Sequence, residues 1–264
     1  MTIAAPQTKP DLLPKEYPPY APRSFSHSQN DSYQRCPYWY YLNKVAKVKE
    51  PPNHYAVFGS MIHEIVEEDG IARIKKKKRL TFKSLVSKYK YRYSKTNFPW
   101  PNKQTQEKYY DLGLKMMEYY AMQRPRHLHA VELRFSLKDI LPIPITGIID
   151  VVSKDGDNYS LMDYKTGNPY KKKVMETNQQ LTLYSLAIEK TYGVWPVNAE
   201  YYFLKTGDII AEQKTPEQAE TMIEDYKESL KGIYAGDFNR SCEDSWWCNN
   251  ICGYGMKNIC PKKA

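Results

Sequence analysis

No stretch of the 264-residue chain is apolar for long enough to cross a membrane as a helix. The first residues lack the apolar core of a secretory signal, and a single arginine beside Asp11 and Glu16 makes them a poor organelle-targeting segment. A cytoplasmic setting is therefore expected. Cysteine is scarce, with five residues, and in a chain that is not secreted these are expected to bind metal or remain thiols rather than form disulfides. Acidic residues are outnumbered: 30 Asp plus Glu face 39 Lys plus Arg, and the net charge of +9 favours a polyanionic partner without naming it. Core material is not lacking. Hydrophobic residues make up 41% of the chain, which excludes a wholly disordered polymer, and the 24 tyrosines can pack, hydrogen-bond or stack on bases.

Residues 1–23 hold six prolines and little apolar periodicity, so they are expected to form a disordered lead-in. Order is expected from Ser24-Phe25-Ser26, with a serine capping a helix that runs towards Leu42 and in which Pro37 makes a kink or begins a new turn. Phe58, Ile62, Ile65 and Val66 form a helical apolar stripe. His63 and Glu67 share one face of that helix, where a lone histidine beside a core stripe is ordinarily structural. Lys75 to Arg79 and then Lys88, Tyr89, Lys90, Tyr91 and Arg92 interleave cations with rings. This offers phosphate neutralisation and base stacking together, or else a solvated helix whose tyrosines pack inward. Further helices are expected over Gln104–Gln123, Val174–Tyr192 and Pro216–Ala235, with strands at Val131–Leu137, Val197–Leu204 and Asp208–Glu212. Glu132, on the first of these strands, could face Asp150 and Asp163, although an exposed strand residue is the plainer reading.

The stretch from Ile145 to Gly167 carries the chemistry. Two strands flank Asp155-Gly156-Asp157-Asn158, which supplies the positive-φ positions of a tight hairpin. With Gly156-Asp157 as the turn, Asp150 and Asp163 are directly opposite; with Asp155-Gly156 they are diagonal. In either register they share a face with Lys165. Like charges this close raise each other's pKa unless a cation intervenes. A hard divalent ion held by one or two carboxylates, with a lysine beside it, suits phosphodiester hydrolysis. A solvated hairpin face with a Lys–Asp pair is the alternative. At the other end of the chain, Cys248, Cys252 and Cys260 fall within thirteen positions and favour a metal site, for which Cys242 or the distant Cys36 is the candidate fourth ligand.

Gly59-x-x-x-His63, Gly147-Ile148-Ile149-Asp150, Asp163-Tyr164-Lys165 and Gln180-Leu181-x-x-Tyr184 occur in the order of the motifs of RecB-like nucleases. Over residues 24–261 the chain resembles that group, part of the PD-(D/E)xK superfamily. Cys36-Pro37 and the cysteine triplet ending in Cys260-Pro261 resemble its iron-sulfur branch, which includes AddB-type and CRISPR-adaptation exonucleases. The branch's pattern is nearer C-x₂-C-x₅-C than the C-x₃-C-x₇-C found here.

The resemblance implies an α/β, restriction-endonuclease-like fold: a mixed central sheet flanked by helices over residues 24–240, followed by a cysteine-rich metal-binding tail, 241–264, packed beside the N-terminal helix. It implies a Mg²⁺- or Mn²⁺-dependent DNA exonuclease acting on single strands or ends in repair, recombination or CRISPR adaptation. Helicase, recombination or adaptation proteins would be its partners. His63, Asp150, Asp163 and the Tyr164 carbonyl would hold the metal, and Lys165 would be the catalytic lysine. Gln180 and Tyr184 would hold the scissile strand. Cys36, Cys248, Cys252 and Cys260 would bind a 4Fe-4S cluster, with structural Zn²⁺ as the alternative. A catalytically silent DNA-binding module with a structural metal is the second functional reading. An electron-transfer protein is disfavoured, because it needs neither the acidic pair nor Lys165.

Overall fold

The computed structural model describes residues 18–76, 78–240, 246–257 and 259–260. Its helices and strands run α1 (His27–Arg35), α2 (Pro37–Tyr40), α3 (His54–Lys76), α4 (Phe82–Lys95), α5 (Lys103–Met122), β1 (Leu128–Leu137), β2 (Ile145–Asp155) and β3 (Asn158–Lys165). They continue with α6 (Lys172–Thr177), α7 (Gln180–Tyr192), β4 (Asn198–Phe203), β5 (Asp208–Glu212), α8 (Pro216–Ala235), α9 (Trp246–Asn250) and α10 (Gly253–Met256). The strands form one mixed sheet in the order β1-β2-β3-β4-β5, antiparallel except for the parallel pair β3–β4. A parallel pair needs a crossover, and α6 and α7 supply it.

Strand alternation divides the core in two. Leu161, Tyr201 and Phe203 meet Leu183 and Ile188 of α7 and Tyr226 and Ile233 of α8 on one face. Met162, Tyr202 and Leu204 meet Ile62 and Ile65 of α3, Leu85 and Tyr89 of α4 and Met116 and Tyr120 of α5 on the other. The sheet is thus covered on both sides, which is why its central strands carry apolar residues on both faces. The mixed α/β fold expected from the sequence is present.

The N-terminal segment takes the second of the two courses expected at Pro37 and departs from expectation at Tyr20. Ser26 caps α1, accepting a hydrogen bond from the Gln29 amide. The helix stops at Cys36, whose extended backbone precedes Pro37, and restarts as α2 before a π-helical turn at Tyr41–Val45. Residues 1–17 lie outside the described residues, whereas Tyr20, placed by sequence in the disordered lead-in, packs edge-on against Phe238. The single helix expected over Val174–Tyr192 is two. Asn178 is extended, and its Oδ1 accepts from the Gln180 amide at 2.9 Å and the Tyr201 hydroxyl at 2.8 Å, which ends α6 and positions the start of α7.

The tail packs back beside the N-terminal helices. Glu50 accepts hydrogen bonds from the Trp39 indole at 3.2 Å and the Gly253 amide at 2.8 Å. Cys252 and Cys260 lie with Leu42 and Tyr254, while Cys36 and Cys248 lie together under Trp39 and Trp247. All four cysteines are buried; Cys242 lies outside the described residues.

Candidate active site

The β2–β3 hairpin takes the register with Gly156-Asp157 in the turn, since Asp155 pairs with Asn158 and Val151 with Met162. Asp150 and Asp163 are therefore opposite one another. The Tyr164 amide donates to Asp150 Oδ2 at 2.8 Å. Lys165 Nζ lies 2.7 Å from Asp163 Oδ2 and donates to Gln180 Oε1 at 2.7 Å. Gln180 Nε2 in turn donates to Asp163 Oδ1 at 2.9 Å and to the Tyr184 hydroxyl at 3.0 Å. The first turn of α7 thus closes a loop of hydrogen bonds over the end of β3. Tyr201 of β4 places its ring 5.2 Å from the Lys165 ammonium.

His63 reaches the same place from α3, with Nδ1 3.6 Å from Asp150 Oδ2. Gly59, one turn earlier, lets the helix approach the end of β3: a Cβ there would sit 3.0 Å from Thr166 Oγ1. This explains physically why the first motif pairs a glycine with a histidine four residues on. Asp150, Asp163, Lys165, Gln180, Tyr184, Tyr164 and His63, picked from separate motifs, are brought together.

Burial sets the charge states. It raises the Asp150 carboxyl well above the usual range, with Asp163 and then Glu132 adding to the effect against the Tyr164 amide. Burial lowers the pKa of His63, assisted by Lys165, although Asp163 and a hydrogen bond to the Tyr164 backbone oppose it; the ring is neutral and keeps a lone pair to offer. Burial also works against the Lys165 ammonium, yet Asp163, Tyr170 and Asp150 outweigh it, and the lysine stays protonated above its ordinary value.

The donor set fits a hard divalent cation: two carboxylates, a backbone carbonyl and a neutral imidazole. Asp163 Oδ2 is buried, and Lys165 meets it as a charge without a well-directed hydrogen bond, so this oxygen retains acceptor capacity. Among the described residues, no three His, Cys, Asp or Glu side chains converge into a metal cage of their own. Mg²⁺ asks for less, since it binds through one or two carboxylates and keeps several waters.

The family model of the PD-(D/E)XK nuclease superfamily matches residues 24–261. This chain belongs to that superfamily. Membership suggests a metal-dependent nuclease, a hydrolase of phosphodiester bonds; nucleases of this superfamily typically use Mg²⁺ or Mn²⁺ and would act on DNA. The gene 69 protein of Mycobacterium phage D29 is 25% identical over 269 residues, spanning 84% of this chain and 95% of that protein. Protein VC1899 from Vibrio cholerae superposes with a TM-score of 0.25 at 9% identity, over 80% of this chain and 55% of its own, so the present chain spans about half its length.

The cation-and-tyrosine stretch on α4 needs correcting as a strand-binding surface. Tyr89 is 0% exposed, and its hydroxyl donates to the backbone carbonyls of Tyr109 and Tyr110. Lys88 is held by Glu68 at 2.7 Å, and Arg92 bonds both Glu64 and Glu68 of α3. Only Lys90 and Tyr91 of the five are exposed, Tyr91 at 65%. Helical spacing of 100° per residue turns Tyr89 and Tyr93 inward together, so alternation in the written sequence is not alternation on the surface.

Glu132 was underread. It falls opposite Asp150, between the pairs Val131–Val151 and Leu133–Ile149, and takes a left-handed φ of 52° within its strand. Burial raises its carboxyl, as do Glu67 and Asp163. Its register opposite Asp150 was the available signal. His27 and Tyr170 were missed altogether. Burial lowers the His27 imidazole to about 4, and Lys165 is among its charged neighbours. No local pattern brings α1 to Lys165; that follows from the pairing of Phe25 with Ile145.

Proposed function

We propose that the protein is a divalent-metal-dependent deoxyribonuclease that works as an exonuclease on single-stranded DNA or DNA ends, in the cytoplasm, in repair, recombination or CRISPR adaptation. The observation that supports it is the shared hairpin face of Asp150, Asp163 and Lys165, met by His63 from α3. Mg²⁺ or Mn²⁺ would be held by His63, Asp150, Asp163 and the Tyr164 carbonyl. The ion's contribution there is to polarise the phosphoryl group and acidify a bound water.

The remaining work falls to the chain itself. Lys165, kept charged by Asp163 and aimed by Gln180, offsets negative charge that grows on the phosphate in the transition state. Gln180 ties Asp163 and Tyr184 together through its amide nitrogen, and in this reading it and Tyr184 are positioning residues for the scissile strand. Cleavage of labelled single-stranded DNA with Mg²⁺, Mn²⁺ or EDTA tests the reading. Asp163→Ala is expected to abolish activity, and Lys165→Ala to cost about 10²- to 10³-fold in kcat. Cleavage that persists in EDTA, or normal turnover by Asp163→Ala, refutes it.

The same reading gives Cys36, Cys248, Cys252 and Cys260 one 4Fe-4S cluster, with structural Zn²⁺ as the alternative. Burial raises the Cys260 thiol and Cys248 and Cys36 raise it further, while burial, with Cys248 also contributing, pushes Cys252 up to about 11. The reading rests on burial of all four cysteines where the two ends of the chain meet; they lie as two pairs, Cys36 with Cys248 and Cys252 with Cys260, and among the described residues no three of them converge as a ready-made cage. Anaerobically purified protein should contain about four irons per chain, and Cys36→Ala should lower both the iron content and the thermal midpoint. Protein that is metal-free and unchanged in stability removes the role.

A further inference from the structure

The start of α3 carries an aromatic surface that the chemistry above leaves unused. Tyr55 is 49% exposed. Its ring centroid lies 3.9 Å from that of His54, which lies 5.3 Å from Trp100 and 5.4 Å from Tyr109; Trp100 continues to Phe98 at 4.8 Å. The array is anchored from beneath by fully buried Phe58, whose ring meets Tyr109 edge-on at 5.0 Å. Burial lowers the His54 pKa, so its imidazole joins the array as a neutral ring. A solvent-facing tyrosine backed by rings is stiff, and stiffness lowers the entropic cost of stacking a further ring on it.

Its place relative to the active site is fixed by the helix that carries both. Tyr55, Gly59 and His63 follow one another at intervals of four on α3, with Gly59 pressed against Thr166 just beyond Lys165. At 1.5 Å per residue, Tyr55 stands about 12 Å from His63 along the axis. Three or four stacked nucleotides cover that distance at about 3.4 Å each. The segments that bear the rings also carry exposed lysines, Lys95 at the end of α4, Lys108 on α5 and Lys47 and Lys49 ahead of α3, interspersed with exposed Glu107 and Asp111.

The geometry points to the Tyr55–His54–Trp100–Tyr109 surface as the platform on which bases of a single DNA strand stack while its backbone is held at the Asp150, Asp163 and Lys165 centre. The inference rests on the nuclease reading, and it names the strand's path, which that reading leaves open. Stacking serves every base, so the platform grips without sequence preference.

The test is binding of a fluorescent oligothymidylate to the full chain in EDTA, by anisotropy, alongside cleavage of the same strand in Mg²⁺ or Mn²⁺. Tyr55→Ala is expected to weaken binding about 5- to 160-fold, the range for loss of one stacking partner, with the dependence on salt unchanged. Tyr55→Trp should restore it. In cleavage, KM should rise while kcat stays. The exposed position should leave the thermal midpoint of Tyr55→Ala near that of the unaltered protein. Unchanged affinity in Tyr55→Ala, a loss that Tyr55→Trp does not rescue, or failure of the unaltered chain to bind the strand overturns the platform. A protein that binds through Tyr55 yet cleaves nothing overturns the nuclease reading alone. One that cleaves with Tyr55→Ala indistinguishable from the original overturns the platform alone.

Discussion

Asp69→Asn is expected to be among the most costly single-atom changes available in this chain. Asp69 is fully buried in α3 and its carboxylate accepts three hydrogen bonds: from Arg124 Nη1 at 2.9 Å, the Tyr120 hydroxyl at 2.9 Å and the Leu80 amide at 2.8 Å. Arg124 is itself buried, its side chain 4% exposed. Replacing one carboxylate oxygen by an amide leaves a guanidinium without a countercharge in a dry interior. Removing one partner of a buried pair in this way costs about 3–5 kcal/mol. For a domain of this size each kcal/mol moves the midpoint by about 2–4 °C, so the expected fall is roughly 6–20 °C. Urea unfolding followed by circular dichroism measures it. The second arm is Asp69→Asn with Arg124→Met, which removes the stranded charge and should recover most of the loss, because apolar replacement of a buried pair is often close to neutral. A loss below about 1 kcal/mol in the single variant, or a double variant worse than the single, refutes the reasoning.

Other outcomes follow from the same coordinates. Gly113→Ala should cost about 1–3 kcal/mol in unfolding experiments, because a Cβ there would lie 2.3 Å from the Tyr89 ring and force it off its two carbonyls. Asp150→Asn should raise the midpoint of EDTA-treated protein near neutral pH while abolishing cleavage. Burial raises the Asp150 carboxyl, so its stabilising form is the protonated one, fully present below the ordinary carboxylate pKa and lost as pH rises through the raised value. His27 has the opposite sign. Its pKa falls to about 4 on folding, so its contribution is complete above about 6.5 and fades between there and about 4. His27→Gln should flatten the pH dependence of stability in that window, measured by denaturant titration.

How much was legible depended on whether local pattern and tertiary geometry agreed. The hairpin was readable because β-alternation puts Asp150, Asp163 and Lys165 on one face in either candidate register, whereas the choice of Gly156-Asp157 as the turn came from the strand pairing itself. The break between α6 and α7 was not readable, since Asn178 ends the helix by serving Gln180 and Tyr201, and Tyr201 is a partner from a later strand. For Tyr89 the sequence left stacking on bases and inward packing open, and the choice needed its partners on α5, the carbonyls of Tyr109 and Tyr110. Glu132 needed the pairing partner of its strand before its burial had meaning. The rings of His54, Tyr55 and Trp100 carried no signal, being distributed over two segments that meet only when α3, α4 and α5 pack.

The bond from the Gly253 amide to Glu50 joins residues 203 apart in sequence. At about 5–20 residues per second, a ribosome needs roughly 10–40 s to make the chain between them. Throughout that interval Trp39, Tyr38 and Tyr41 have been synthesised, while Trp247 and Tyr254, which cover them, have not. This segment is thus made long before the residues that shield it. During translation it is a natural client for chaperones, and a premature stop anywhere before α9 would leave it permanently uncovered.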